Sequence, residues 1–234
     1  MALDPQALFS VKLSLKVAGT STLLVVLTGL PLSYLLAFRS FPLKNLVDAF
    51  ITLPLVFPPT VTGYILLLLL GRNGPLGRLI HELFGTGVVF TWYGAVVAAS
   101  VASFPIFVKS ARASLEAVDK NLIQVSYTLG KGELETFLKV ILPLAKGGIV
   151  AGIVLSFARA IGEFGATLML AGNIPFKTNT VPLEIYSAVS GGDFERANTL
   201  TLIIALFSVA VIYTLSVITA RERSRRKNAN AHRA

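Results

Sequence analysis

The sequence predicts an all-α, polytopic membrane protein, a helical bundle with about five transmembrane helices. Three observations carry this reading. Hydrophobic residues make up 54% of the 234 positions and charged residues only 14%, against roughly 25% charged in soluble domains. Five apolar runs stand out at about 13–38, 46–70, 91–111, 147–171 and 199–220, each near or above the ~20 residues that cross a hydrocarbon layer. Lysine and arginine are spread unevenly among the connections between them.

The first run follows Lys12 and Lys16. Residues 17–38 exceed the ~7–15 residues of a signal h-region and no clear cleavage site follows, so the run is read as a retained span. The second contains Pro54, Pro58 and Pro59, yet its apolar part is long enough to cross. Residues 1–234 therefore read as a single transmembrane domain with one long connection, 109–146, and a basic tail, 221–234.

Orientation follows from the basic residues. The 39–45 turn, the 109–146 connection and the tail hold 14 of the 21 lysines and arginines. Lys12, Lys16, Arg72, Arg78, Lys177 and Arg196 fall on the other side, and Arg159 lies inside a span. The expected arrangement places the N-terminus outside and the C-terminus in the cytoplasm. The net charge of +9 is then a topology signal, and the tail a solvated anchor near anionic lipid rather than a nucleic-acid patch.

There are no cysteines, which excludes disulfides, thiolate metal sites and cysteine nucleophiles. His81 and His232 fall in a predicted loop and in the tail, with Glu82 beside the first. No metal site, catalytic residue or cofactor bound by this chain is expected.

In the 109–146 connection, helix-forming residues predict one short helix through 115–129 and another through 133–142, separated by Gly130 and Gly132. Leu122, Val125, Ser126 and Leu129 share a helical spacing, giving a compact apolar face suited to a groove on another protein. Gly130 permits a positive φ or a close backbone approach. Pro143 restricts Leu142 and marks the end of the second helix. The plainer reading is an amphipathic loop lying on the membrane surface.

The spacing resembles the EAA loop of ABC-importer permeases: Gln124-Val125-Ser126, three residues, Gly130, nine residues, then Val140-Ile141-Leu142-Pro143. The glutamate-alanine-alanine trio is replaced here, so the charge at its first position is lost. Phe57-Pro58-Pro59-Thr60-Val61-Thr62-Gly63-Tyr64 and Gly71-Arg72-Asn73-Gly74-Pro75-Leu76-Gly77 resemble the molybdate, tungstate and sulfate branch, the molybdate permease best. So do Phe157 to Thr167, Ala171-Gly172-Asn173-Ile174-Pro175 and Thr180 to Tyr186. The resemblance covers about residues 10–220. It implies the type I importer permease fold and a homodimer in the bacterial inner membrane. It also implies two cytoplasmic ABC ATPase subunits, which would hold ATP and Mg, and an external binding protein that delivers a tetrahedral oxyanion. Some relatives carry a further N-terminal span; five spans rather than six are expected here.

Two constellations at membrane depth bear on a pathway or gate. Pro58 and Pro59 remove backbone donors, and groups freed in a bilayer must find partners or line a cavity. Thr60 and Thr62 supply hydroxyls there, either for a self-satisfied kink or for a gate. Arg159 and Glu163, four residues apart on the fourth run, share a helix face. A charge at the bilayer centre costs roughly 2.5–3.5 kcal/mol on insertion scales, so the pair faces the bundle interior, as a structural ion pair or as a gate element. Gly162 and Gly165 beside it permit close helix approach. A short outer helix near 182–190, with Leu183, Ile185, Tyr186 and Val189, is either a cap that touches a binding protein or an interfacial anchor. An intramembrane enzyme would need a nucleophile or paired acids beside Arg159 and Glu163, and none is present. A passive channel would not need a helix pair shaped for a motor.

Overall fold

The structure, a computed structural model, describes residues 4–231. Eleven α-helices and one π turn are present among them, and no strand. They are α1 (Pro5–Phe38), α2 (Lys44–Val56), α3 (Pro59–Leu70), α4 (Pro75–Phe84), α5 (Trp92–Glu116) and α6 (Lys120–Thr128). Then come α7 (Glu133–Thr136), the π turn (Phe137–Ile141), α8 (Leu142–Ile161), α9 (Gly165–Ala171), α10 (Val181–Ser190) and α11 (Phe194–Ala231). Four helical stretches are long and apolar enough to cross a membrane, or five if the bent pair α2–α3 counts as one.

The core is a three-helix contact between α1, α5 and α8. Val25, Leu36, Phe107, Val108, Ala111, Leu115, Ile141, Ala145 and Ile149 are buried together there. Small residues let the backbones close up. A Cβ on Gly29 would stand 2.7 Å from the Phe107 ring, and one on Gly148 2.5 Å from Ser114 Oγ. The serines of α5 donate across the seam, Ser110 to the Gly148 carbonyl at 2.9 Å and Ser114 to that of Ala145 at 2.8 Å. Facing outward, Leu23, Leu27, Leu68, Leu202, Leu206, Val209 and Ile212 are all more than half exposed, a surface suited to lipid rather than water.

Several expectations need correction. The run 46–70 is not one span axis: α2 and α3 meet at 117°. Phe57 and Pro58 each precede a proline, which drives both into extended conformations, with ψ of 141° and 138°. Pro59 then opens α3, where a missing N–H costs nothing. The run 147–171 is also broken, since α8 ends at Ile161 and α9 begins at Gly165.

Pro143 does not end a helix. The stretch Glu133–Ile161 runs through it, and the expected helix 115–129 is instead split between α5 and α6. In a regular helix the Pro143 ring would press on the carbonyl four residues back. The π turn just before it widens the coil, so that the Leu142 N–H bonds to the Phe137 carbonyl, five residues away. His81 and Glu82 sit on helix α4 rather than in a loop. His232 and Arg233 lie outside the described residues, as do the side chains of the basic tail from Arg221 to Lys227.

Candidate functional site: a docking helix and a broken-helix gate

The 109–146 connection folds as a bracket beneath the bundle. Asp119 caps α6, its carboxylate accepting from the Asn121 N–H at 2.9 Å, which fixes where the helix starts after α5 has ended. Ile123 and Ser126 are buried. Ser126 shares a 2.9 Å hydroxyl hydrogen bond with buried Thr136, tying α6 to the start of the next helical stretch. Ser126 therefore does not share the outward face with Leu122, Val125 and Leu129, as its spacing suggested. Those three remain 41%, 54% and 73% exposed, and Gln124 is exposed beside them.

Gly130 has φ +78° and open space where a Cβ would point. Its role is conformational, a left-handed residue ending α6, not a close approach. Its N–H and that of Lys131 close the turn on the carbonyls of Tyr127 and Ser126 at 3.0 and 3.2 Å. Leu142 is half-buried and Pro143 exposed, both within the continuous helix.

The bracket has a polar tie that sequence reasoning missed. Arg39, just past α1, holds both carboxylate oxygens of Glu133 at 2.6 and 2.7 Å, and Tyr34 donates to the same carboxylate at 2.7 Å. Tyr34 also meets the Phe137 ring edge-on, 4.9 Å between centroids. A second tie joins α2 to α5. Asp48 accepts from Lys109 at 2.7 Å and pairs with Arg112 at 3.3 Å. Sequence reasoning missed this tie too; an acid inside the apolar run 46–70 is the signal that could have found it.

The second constellation comes together where α3 begins. A Cβ on Gly165 would lie 2.7 Å from the Pro59 Cβ, and one on Gly63 2.7 Å from the Ala166 Cα. The two broken helices therefore cross with almost no side chain between them. Thr62 is buried with its hydroxyl unpartnered, and Thr60 and Pro58 are exposed. Neither self-satisfied kink nor free cation results. Arg159 pairs with buried Glu163 at 2.7 Å, and Glu163 also accepts from the Ala166 N–H at 2.8 Å. Glu163 is thus not on one continuous helix with Arg159 but in the break, satisfying an orphan donor of α9. Gly162, in the same break, is exposed.

At the other end of the bundle, α10 occupies Val181–Ser190, as expected. Buried Glu184 accepts from Gln6 at 2.9 Å and Asn179 at 2.5 Å and pairs with Arg196 at 3.2 Å; Arg196 also pairs with Asp4. This network, unforeseen from the sequence, fastens α10 and α11 to the start of α1.

Comparison with known proteins agrees with this architecture. The model of the family described as binding-protein-dependent transport system inner membrane component matches residues 29–227. The Escherichia coli K12 molybdenum transport system permease protein ModB is 42% identical over 205 residues, 87% of this chain and 90% of that one. The Haemophilus influenzae ModB is 39% identical over 217 residues, 93% of each chain. The Salmonella typhimurium sulfate transport system permease protein CysT is 31% identical over 218 residues, 93% and 78%. Among solved structures, a bacterial alginate ABC transporter in complex with a pentasaccharide-bound periplasmic protein superposes with a TM-score of 0.72. It is 13% identical and covers 93% of this chain and 80% of that one. The chain belongs to the family of binding-protein-dependent transport system inner membrane components: it is a multi-pass inner-membrane permease subunit with the fold of ABC-transporter permeases, and not itself an enzyme.

Proposed function

We propose that this chain translocates molybdate as the permease subunit of an ATP-driven importer. Two copies form the pathway. Two ABC ATPase subunits, carrying ATP and Mg, dock on the 109–146 brackets, and an external binding protein delivers the oxyanion. The N-terminus lies outside and the C-terminus in the cytoplasm. The observation that carries the docking role is the apolar row Leu122, Val125 and Leu129, exposed on a short helix whose other side is locked down by Ser126 and Thr136. An exposed apolar row on a rigid, capped helix fits a groove on a partner. The likeness to the two molybdenum permeases, at 42% and 39% identity against 31% for the sulfate permease, favours molybdate over sulfate.

Pro58, Pro59, Thr60, Thr62, Arg159, Gly162, Glu163 and Gly165 border the gate in this reading. Arg159 is neutralised by Glu163, so no fixed cation there grips a dianion. Conduction needs contacts weak enough to release the ion, and tight capture is left to the binding protein. The test is uptake into vesicles reconstituted with permease, ATPase and binding protein, with molybdate, tungstate and sulfate competing. ATP-dependent molybdate uptake that tungstate competes and sulfate does not is expected. Uptake that persists without ATP, or that sulfate blocks best, overturns the reading.

A further inference from the structure

We propose that α4 is an interfacial helix whose partner is the lipid surface, its apolar side lying at the boundary between headgroups and acyl chains. At 100° per residue, Leu79, Leu83, Leu76, Ile80 and Phe84 fall in one continuous arc of roughly 140°, with His81, Arg78 and Glu82 on the remainder. Ile80 packs on the cluster of Leu70, Ala98, Ala166 and Leu170. The rest of the arc meets no such cluster: Leu76, Leu79, Leu83 and Phe84 are 47%, 51%, 66% and 72% exposed.

The position of α4 is fixed by its first turn. A Cβ on Gly74 would stand 2.3 Å from the Leu68 carbonyl, and one on Gly77 1.9 Å from that of Gly71. Only glycine lets α4 seat this tightly on the end of α3. Ile65, Leu68 and Leu69 of the helix it seats on are exposed as well, part of the outward apolar surface that membrane insertion buries. The two arginines nearby, Arg72 and Arg78, have no ion-pair partner among the described residues. Cations beside an aliphatic arc match a phosphate-rich boundary layer. A helix held this way anchors the far end of α3, so that any swing at the Phe57–Pro58 bend is referred to the membrane plane. This anchoring stands independently of which ion is carried.

The chain contains no cysteine, so single labels are direct. Leu79→Cys, Leu83→Cys, Arg78→Cys and Glu82→Cys variants of the full permease carry an environment-sensitive fluorophore in phosphatidylcholine–phosphatidylglycerol vesicles. Brominated acyl chains are expected to quench labels at 79 and 83 about threefold or more above those at 78 and 82. Equal quenching at all four positions overturns the proposal. So does a blue-shifted but unquenched label at 83, which would place a second copy or another protein over the arc.

Discussion

Arg39 and Glu133 meet at 2.6 Å although 94 residues separate them, joining the end of α1 to the foot of the helical stretch that leads into α8. With Tyr34 on the same carboxylate, the bracket that carries α6 is held to α1 by side chains and to α5 and α8 by the chain itself. Both members of the pair are about half exposed, and exposed ion pairs add little to stability. Their consequence is geometric. Glu133→Gln should leave thermal stability and ATPase co-purification unchanged while lowering ions transported per ATP hydrolysed. The exchange Arg39→Glu with Glu133→Arg should recover much of that ratio, as a double-mutant cycle would report.

Gly130→Val should insert normally but uncouple hydrolysis from uptake. There is room for the side chain, so the penalty lies in the backbone: a residue with a Cβ pays about 1–2 kcal/mol in the left-handed region, and a β-branched one more. Gly130→Asn, which tolerates that region, should retain most coupling. Paired measurements of uptake and ATP hydrolysis in vesicles distinguish the two variants.

Ser126→Ala should loosen α6 by stranding the Thr136 hydroxyl, a loss of about 1–3 kcal/mol for a buried group left unpaired. Ser126→Ala combined with Thr136→Val should cost less than the two single changes added together. Hydrogen exchange of the α6 amides would register the difference, and additive effects would mean the hydroxyl pair is not a joint.

Glu163→Gln keeps an oxygen for the Ala166 N–H but leaves Arg159 without its counter-charge. Arg159 is about one-third exposed, so the loss should stay near 2 kcal/mol, below the usual cost of halving a fully buried pair. Glu163→Ala also strands the Ala166 donor and should cost more. Melting of the purified permease gives the order, and uptake shows whether the pair gates as well as stabilises.

Gly165→Ala places a methyl against Pro59 and should spread α3 from α9 at an overpacking cost of about 1–3 kcal/mol. Altered gating would appear as ATP-independent leak of the oxyanion from loaded vesicles. A tight vesicle with normal melting would show that the crossing tolerates extra volume.

The spans at α1, α5 and α11 were legible because an apolar run long enough to cross needs nothing else to declare itself. The two breaks were not, for different reasons. Pro58 and Pro59 were in plain view, but proline fixes the local dihedrals and not the direction in which the next helix leaves. The gap at Gly162–Phe164 is hidden because hydropathy averages over it while the backbone does not. The inward side of α6 was misread because Val125 and Ser126 suit either face by spacing. The choice is made by Thr136, ten residues on, and periodicity within one helix carries no information about a partner outside it. The Arg159–Glu163 pair was legible because spacing and the cost of buried charge agreed.

A coil that gains a residue in one turn behaves like a screw thread with a spliced pitch. The extra residue within Phe137–Ile141 sets the angular phase of everything before it relative to α8. Removing one residue there would even out the winding and swing α6 by roughly 100° about the axis. Leu122, Val125 and Leu129 would then face a different quarter of the surroundings with no change in their chemistry. The interval from Gly130 to Pro143 therefore sets where that apolar row points, and on the proposed docking role its length counts as much as the residues it presents.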